Sequence, residues 1–195
     1  EARVSGDGQV VDAAIVDGAS SLMTQFVGMG HRGQFVEQRE SNMLDSAAPW
    51  YTIYETSDGQ HLSVGAIEPQ FFAQLCERIG LAPEWHAAQN DRMRWPQLRE
   101  EMAAIFRGRT RDAWAALLQD TDCCVAPVLS LGEAARHPHN SVRGTFVDVA
   151  GVSQPAPAPR FSRTPSQAGQ VAAQATAGAE VLARWTREPA ARSGT

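Results

Sequence analysis

One carboxylate of this 195-residue chain stands where sequence alone can place chemistry. Glu68 falls between a β-rich run, His61 to Ala66, and a helical pattern that opens with Pro69, repeats Phe72, Leu75, Cys76 and Ile79, and stops at Gly80. A carboxylate at such a strand-to-helix corner has two uses. It can exchange a proton with a ligand, or cap the free N–H groups of the helix behind it. Local sequence leaves both open.

The other reactive residue types offer less. Cys76 lies inside the helical pattern, and Cys123 and Cys124 adjoin at the edge of an apolar run, a spacing that builds neither a disulfide framework nor a zinc site. Cys123 and Cys124 read as small buried hydrophobes rather than reactive thiols. Among the histidines, His31 falls in a loop, His61 in a hairpin, and His86, His137 and His139 in turns. None is nominated as a catalytic base. Asp12 and Asp17 read as strand-end and capping residues, and no metal site is expected.

Bulk composition narrows the classes. The 22 acids and 17 bases are interspersed and sum to −5, so no basic stripe exists to follow a nucleic-acid backbone. No run of about 18 apolar residues is present to cross a membrane, and the first residues lack the order of a secretory signal. Unpaired cysteines suit a reducing, cytoplasmic setting. A hydrophobic content of 43% can supply the core of one ordinary domain or two small ones.

The elements that must hold Glu68 follow from periodicity. Residues 9–15 read as a strand, followed by a helix capped by Asp17 with Leu22, Phe26 and Met29 in its stripe, ending at Gly28 or Gly30. Residues 31–48 show no period and read as a loop. Tyr51 to Glu55 and His61 to Ala66 flank Asp58-Gly59, a strong hairpin signal. Helices are expected from Pro96 to Arg107 and from Thr110 to Gln119, a short strand over Cys124 to Leu129, a capped helix from Ser130 that Pro138 ends, and a strand over Thr145 to Val149. The proline-punctuated residues 154–165 read as an extended strap without a ladder of its own. A linker to Gly178, a helix from Ala179 to Trp185 and a frayed tail complete the chain.

Three segments together carry a family signature: Gly8-Gln9-Val10-Val11-Asp12-Ala13-Ala14-Ile15-Val16-Asp17-Gly18, Asn42-Met43-Leu44-Asp45-Ser46-Ala47-Ala48-Pro49, and Val64-Gly65-Ala66-Ile67-Glu68-Pro69-Gln70-Phe71-Phe72. Gln89-Asn90-Asp91-Arg92 with Trp95-Pro96, Cys124 to Leu129, and Pro157 to Thr164 add further matches in order. In these motifs the chain resembles the C-terminal part of alpha-methylacyl-CoA racemases, within the family III CoA-transferase group.

The resemblance implies an α/β fold in three parts: residues 1–41 as the late segment of a large, Rossmann-like CoA-binding domain, 42–150 as a small α/β domain with a hairpin and helices, and 151–195 as a proline-rich strap returning to the large domain. It further implies an interlocked homodimer for the full-length protein. The reaction implied is inversion at C2 of a 2-methylacyl-CoA through an enolate, a step of branched fatty-acid metabolism. No cofactor is needed, because CoA is part of the substrate. That chemistry wants acid/base groups on opposite faces of C2 and donors for the enolate oxygen. Of the polar groups the family pattern offers, only the glutamate is present here, as Glu68; the histidine and aspartate lie upstream, so the chain is expected to be an incomplete part, inactive alone. Met43, Leu44, Ile67 and Tyr51 fall in or beside motifs that face the acyl chain, or are ordinary core; Asp45 bonds either its own loop or ligand. The competing expectations are a CoA-transferase of the same group and a non-catalytic binding piece.

Overall fold

A computed structural model describes residues 2–169 and 177–185. The chain divides into two compact units, Glu1–Val128 and Leu129–Thr195. In the first, α1 (Ala2–Ser5), α2 (Ile15–Leu22) and α3 (Thr24–His31) precede the hairpin β1 (Tyr51–Glu55) and β2 (His61–Gly65). Then come α4 (Pro69–Ile79), two 3-10 turns (Pro83–Ala88 and Arg92–Arg94), α5 (Trp95–Phe106), α6 (Arg111–Leu118) and β3 (Val125–Pro127). The second unit holds α7 (Leu131–Arg136), α8 (Pro138–Arg143), β4 (Phe146–Val149), β5 (Val152–Pro155) and α9 (Gly178–Trp185). The expected mixture of helix and strand is what the chain forms.

The core of the first unit is organised by the hairpin. β1, β2 and β3 pair antiparallel in that order, and Thr52 opposite Val64 and Tyr54 opposite Leu62 occupy one face, all four buried, while Ile53, Glu55, His61 and Ser63 point out. That alternation is the period of two the sequence carries. Against this face, α4 brings Phe72, Leu75, Cys76 and Ile79, and α5 brings Trp95, Leu98, Met102 and Phe106, each set at the three-and-four spacing of one helix face. Tyr54 and Phe106 rings lie 5.0 Å apart, and Phe106 meets Trp114 of α6 edge-on at 5.4 Å. Each polar tip in this stack has a partner: the Tyr54 hydroxyl donates to Pro49 O at 2.6 Å and Trp114 Nε1 to Phe106 O at 2.8 Å.

Turn and cap chemistry sets the ends. Gly59 (φ +70°) turns the hairpin, and the Asp58 carboxylate accepts from the Thr56 hydroxyl and from the Arg111 N–H, tying the turn to the head of α6. Gly80 closes α4 in the left-handed region at φ +74°. Thr110 caps α6 through Ala113 N–H, and Ser130 with Glu133 forms a capping box on α7.

Several expectations give way. Residues 9–14 are exposed and form no strand, because no neighbouring strand pairs with them among the described residues; the backbone enters α2 at Ile15 instead, with Asp17 inside the first turn and Ala14 at the cap. The single helix expected after Asp17 is two, broken at Met23, where the Thr24 hydroxyl donates to Ser21 O at 2.7 Å and competes for a helical carbonyl; the second runs past both glycines to His31. Pro138 does end α7, but it also starts α8, since a first-turn proline needs no N–H. Val152–Pro155, expected in part as an unpaired strap, forms β5 against β4, turned by Ala150 and Gly151 at positive φ. The expected linker to Gly178 lies partly, and the frayed tail wholly, outside the described residues.

Phe106 is fully buried among two rings and the α5 face. Phe106→Ala is expected to cost about 3–5 kcal/mol of unfolding free energy, read as a lower urea midpoint with an unchanged m-value.

Candidate active site

Glu68 stands where the sequence places it, at the head of α4, with φ −73° and ψ 138° in the extended region that a following proline favours. Its carboxylate is exposed, does not cap the helix, and receives no hydrogen bond among the described residues. The helix head is served by backbone instead: Phe71 and Phe72 N–H both donate to Glu68 O at 3.0 Å. Of the two uses open to this carboxylate, capping is therefore not the one the fold adopts.

The corner beneath it is tightly held. Gly65 N–H donates to Cys124 O at 2.9 Å, Ile67 N–H to Gly65 O at 2.9 Å, and the Gln89 side-chain amide to Ala66 O at 3.2 Å and Ile67 O at 2.9 Å. Gln89 is itself buried, and its backbone carbonyl accepts from both Trp50 Nε1 and Trp95 Nε1, each at 2.8 Å. The sequence quoted Gln89 as part of a motif without a role.

Two groups of expected substrate contacts emerge. Met43 and Leu44 line a cavity of about 160 Å³ with Phe26, Met29, Phe35, Asn42 and Asp45. Tyr51 and Ile67 do not line it: Tyr51 pairs with Gly65 at the end of the hairpin, half-buried against the core, and Ile67 is 37% exposed beside Glu68. Asp45 is committed to its loop. It accepts from Asn42 N–H at 2.7 Å, from Asn42 Nδ2 at 2.8 Å and from Ser41 N–H at 3.3 Å, while the Asn42 amide exchanges two 2.9 Å bonds with the Val36 backbone. Slight burial raises its carboxyl, but these hydrogen bonds outweigh that and hold it below its ordinary range. Arg99 fastens the same loop to α5 by donating to Ser46 O, to Ala47 O at 3.0 Å and to the Thr52 hydroxyl at 3.4 Å. Among the described residues, no group of three or more His, Cys, Asp or Glu side chains is placed to hold a metal ion.

The cysteines differ from the sequence reading in one respect. Cys76 and Cys123 are buried, and burial pushes the Cys76 thiol up to about 12. Cys124 is exposed, at φ 52°, because it carries the chain out of the core just before β3. Partial burial first, then the negative charge of Glu68 and Asp122, push its thiol up. Glu68 is thus an electrostatic neighbour of Cys124.

These features define a mixed α/β fold that presents an exposed, unbonded carboxylate at a rigid corner and an apolar cavity at the loop before the hairpin. Residues 1–178 match the model of CoA-transferase family III, and the chain belongs to that family. It is 40% identical over 163 residues to the alpha-methylacyl-CoA racemase of Mus musculus and 38% identical over 164 residues to that of Homo sapiens, each match covering 83% of this chain. The chain spans 43% of the length of those relatives. Its fold matches a CAIB/BAIF family protein from Brucella suis with a TM-score of 0.62 at 22% identity, over 94% of this chain and 50% of that one.

Alkylation of the folded chain should modify Cys124 while Cys76 and Cys123 stay protected until unfolding. Near pH 8, Glu68→Gln should speed Cys124 alkylation roughly twofold, the scale of one solvent-screened charge. Mass-resolved labelling rates check both.

Proposed function

We propose that this chain supplies the Glu68 half of a site that inverts C2 of 2-methylacyl-CoA thioesters. The similarity at 40% identity to a protein named alpha-methylacyl-CoA racemase carries the proposal. The free carboxylate at the head of α4 supports it, since a group that exchanges protons must keep its lone pairs open.

In this reading, the C2 proton leaves on one face, the electron pair moves onto the thioester carbonyl to give an enolate, and a proton returns on the other face. Glu68 serves the acid/base machinery, as a proton carrier or as the partner that orients one. Met43, Leu44, Ile67 and Tyr51 contact the acyl chain in this proposal, Met43 and Leu44 from the 160 Å³ cavity and Ile67 and Tyr51 from the Glu68 corner. The second acid/base group and the donors for the enolate oxygen belong to an upstream part, within a Rossmann-like domain and an interlocked dimer. Residues 1–41, 42–150 and 151–195 take the roles of large-domain segment, small domain and returning strap. The reaction takes no cofactor beyond the CoA of its substrate, acts on branched fatty acyl groups, and is assigned to the cytoplasm. No helix of the described residues is long and apolar enough to cross a membrane.

The test is deuterium incorporation at C2 of a 2-methylacyl-CoA in heavy water. With the upstream part supplied, exchange is expected, and Glu68→Gln should slow it by about 100-fold or more. The chain alone should not exchange. Undiminished exchange in Glu68→Gln would remove Glu68 from the chemistry, and CoA transfer between acyl groups in place of exchange would reassign the chain to the transferases.

A further inference from the structure

We propose that Gln89 is a positioning residue for the Glu68 carboxylate, acting through the Ala66–Ile67 backbone; this rests on the reading of Glu68 as part of the acid/base machinery. Where a carboxylate has no hydrogen bond of its own, the backbone that carries it sets the point from which its rotamers start. Around Glu68 that backbone has four kinds of fastener: the Gly65 and Ile67 N–H bonds at 2.9 Å, the Phe71 and Phe72 N–H bonds at 3.0 Å, the φ restriction of Pro69, and the Gln89 amide. The first three are made by main chain or by the proline ring. Among the described residues Gln89 alone hydrogen-bonds the corner with a side chain, and it bonds the carbonyls of the two residues immediately before Glu68.

The geometry makes this clamp stiff. Gln89 is 4% exposed, and its own carbonyl is fixed by two indole N–H groups whose rings meet edge-on at 6.1 Å. A side chain launched from so fixed a backbone loses little further entropy when its amide engages two acceptors. Both Nε2 hydrogens point at carbonyls, so the reverse amide orientation would set oxygen against oxygen. With the Ala66 and Ile67 carbonyls held, the peptide planes leading into Glu68 are fixed, and the side chain's own rotamers then carry the carboxylate from one constant starting point. Small losses of aim are costly to proton transfer, which requires hydrogen-bond reach of the moving proton.

The experiment uses the complete enzyme, this chain together with the upstream part, and measures C2 exchange of a 2-methylacyl-CoA. Gln89→Met keeps the length and apolar shape of the side chain, removes both donors, and leaves the carbonyl that holds the indoles. It is expected to lower kcat about tenfold with KM changed less than twofold, and with the near-ultraviolet tryptophan dichroism unchanged. Combined with Glu68→Gln it should add no further loss, because the clamp acts only through that carboxylate. An unchanged kcat, a loss confined to KM, or a loss that multiplies with that of Glu68→Gln would overturn the positioning role. Gln89→Asn, with a donor one methylene short, should fall at or below the kcat of wild type and at or above that of Gln89→Met; if neither variant folds, Gln89 is a folding element and the proposal falls. Undiminished exchange in Glu68→Gln alone would instead sink the reading of Glu68, so the two failures are distinguishable.

Discussion

A single carbonyl organises the first unit. Gln89 O accepts from the indoles of Trp50 and Trp95, one at the entrance to β1 and the other at the start of α5. Buried indole N–H groups need partners, and a lone unsatisfied donor costs about 1–3 kcal/mol. Sharing one acceptor meets both needs at once, but it requires the sheet and α5 to approach the segment between α4 and α5 in one register. The hairpin face, the α5 stripe and the Phe106 stack belong to the same buried cluster as these two rings, so one register serves them all.

The same register explains how a surface corner becomes rigid. β2 is held from one side by β1 and from the other by β3, and the chain leaves it with Gly65 still bonded to Cys124. Ala66 is fully buried while Glu68 two residues later is exposed, so the transition from core to solvent occurs within a single turn of backbone. Exposed loops ordinarily move more than the elements they join. This one is restrained by the core's own hydrogen bonds.

What the sequence makes legible follows from how local each determinant is. The hairpin, α4 and the caps at Thr110 and Ser130 are written in adjacent residues, Asp58-Gly59, Pro69 and Gly80, Ser130 with Glu133, and each forms where expected. Val10 and Val11 have strand-forming side chains, yet a strand exists only with a partner edge, and none reaches them among the described residues. β5 was hidden for the opposite reason: Pro155 reads as a strap residue, but it ends an edge strand where its missing N–H faces no partner. The break at Met23 turns on one threonine hydroxyl. Of the site, Glu68 and the Met43-Leu44 pair were readable as motif residues, whereas the Gln89 clamp joins positions more than twenty residues apart and carries no local signal.

The contrast between Asp45 and Glu68, two of the carboxylates in the family motifs, shows how the fold separates structural from chemical duty. A carboxylate offers about four acceptor sites. Asp45 fills three of its own with Asn42 and Ser41, and through Asn42 it fixes the Val36 backbone, so the loop lining the apolar cavity has a shape of its own. Glu68 fills none, because Gly65, Ile67, Phe71, Phe72 and Gln89 satisfy the corner without it. A proton acceptor already saturated with N–H donors would have to break those bonds before it could react, and would be a poor base for having them. By meeting every structural demand of the corner with backbone and one amide, the chain keeps at Glu68 the one thing proton transfer requires of a carboxylate, which is open lone pairs on a fixed mount.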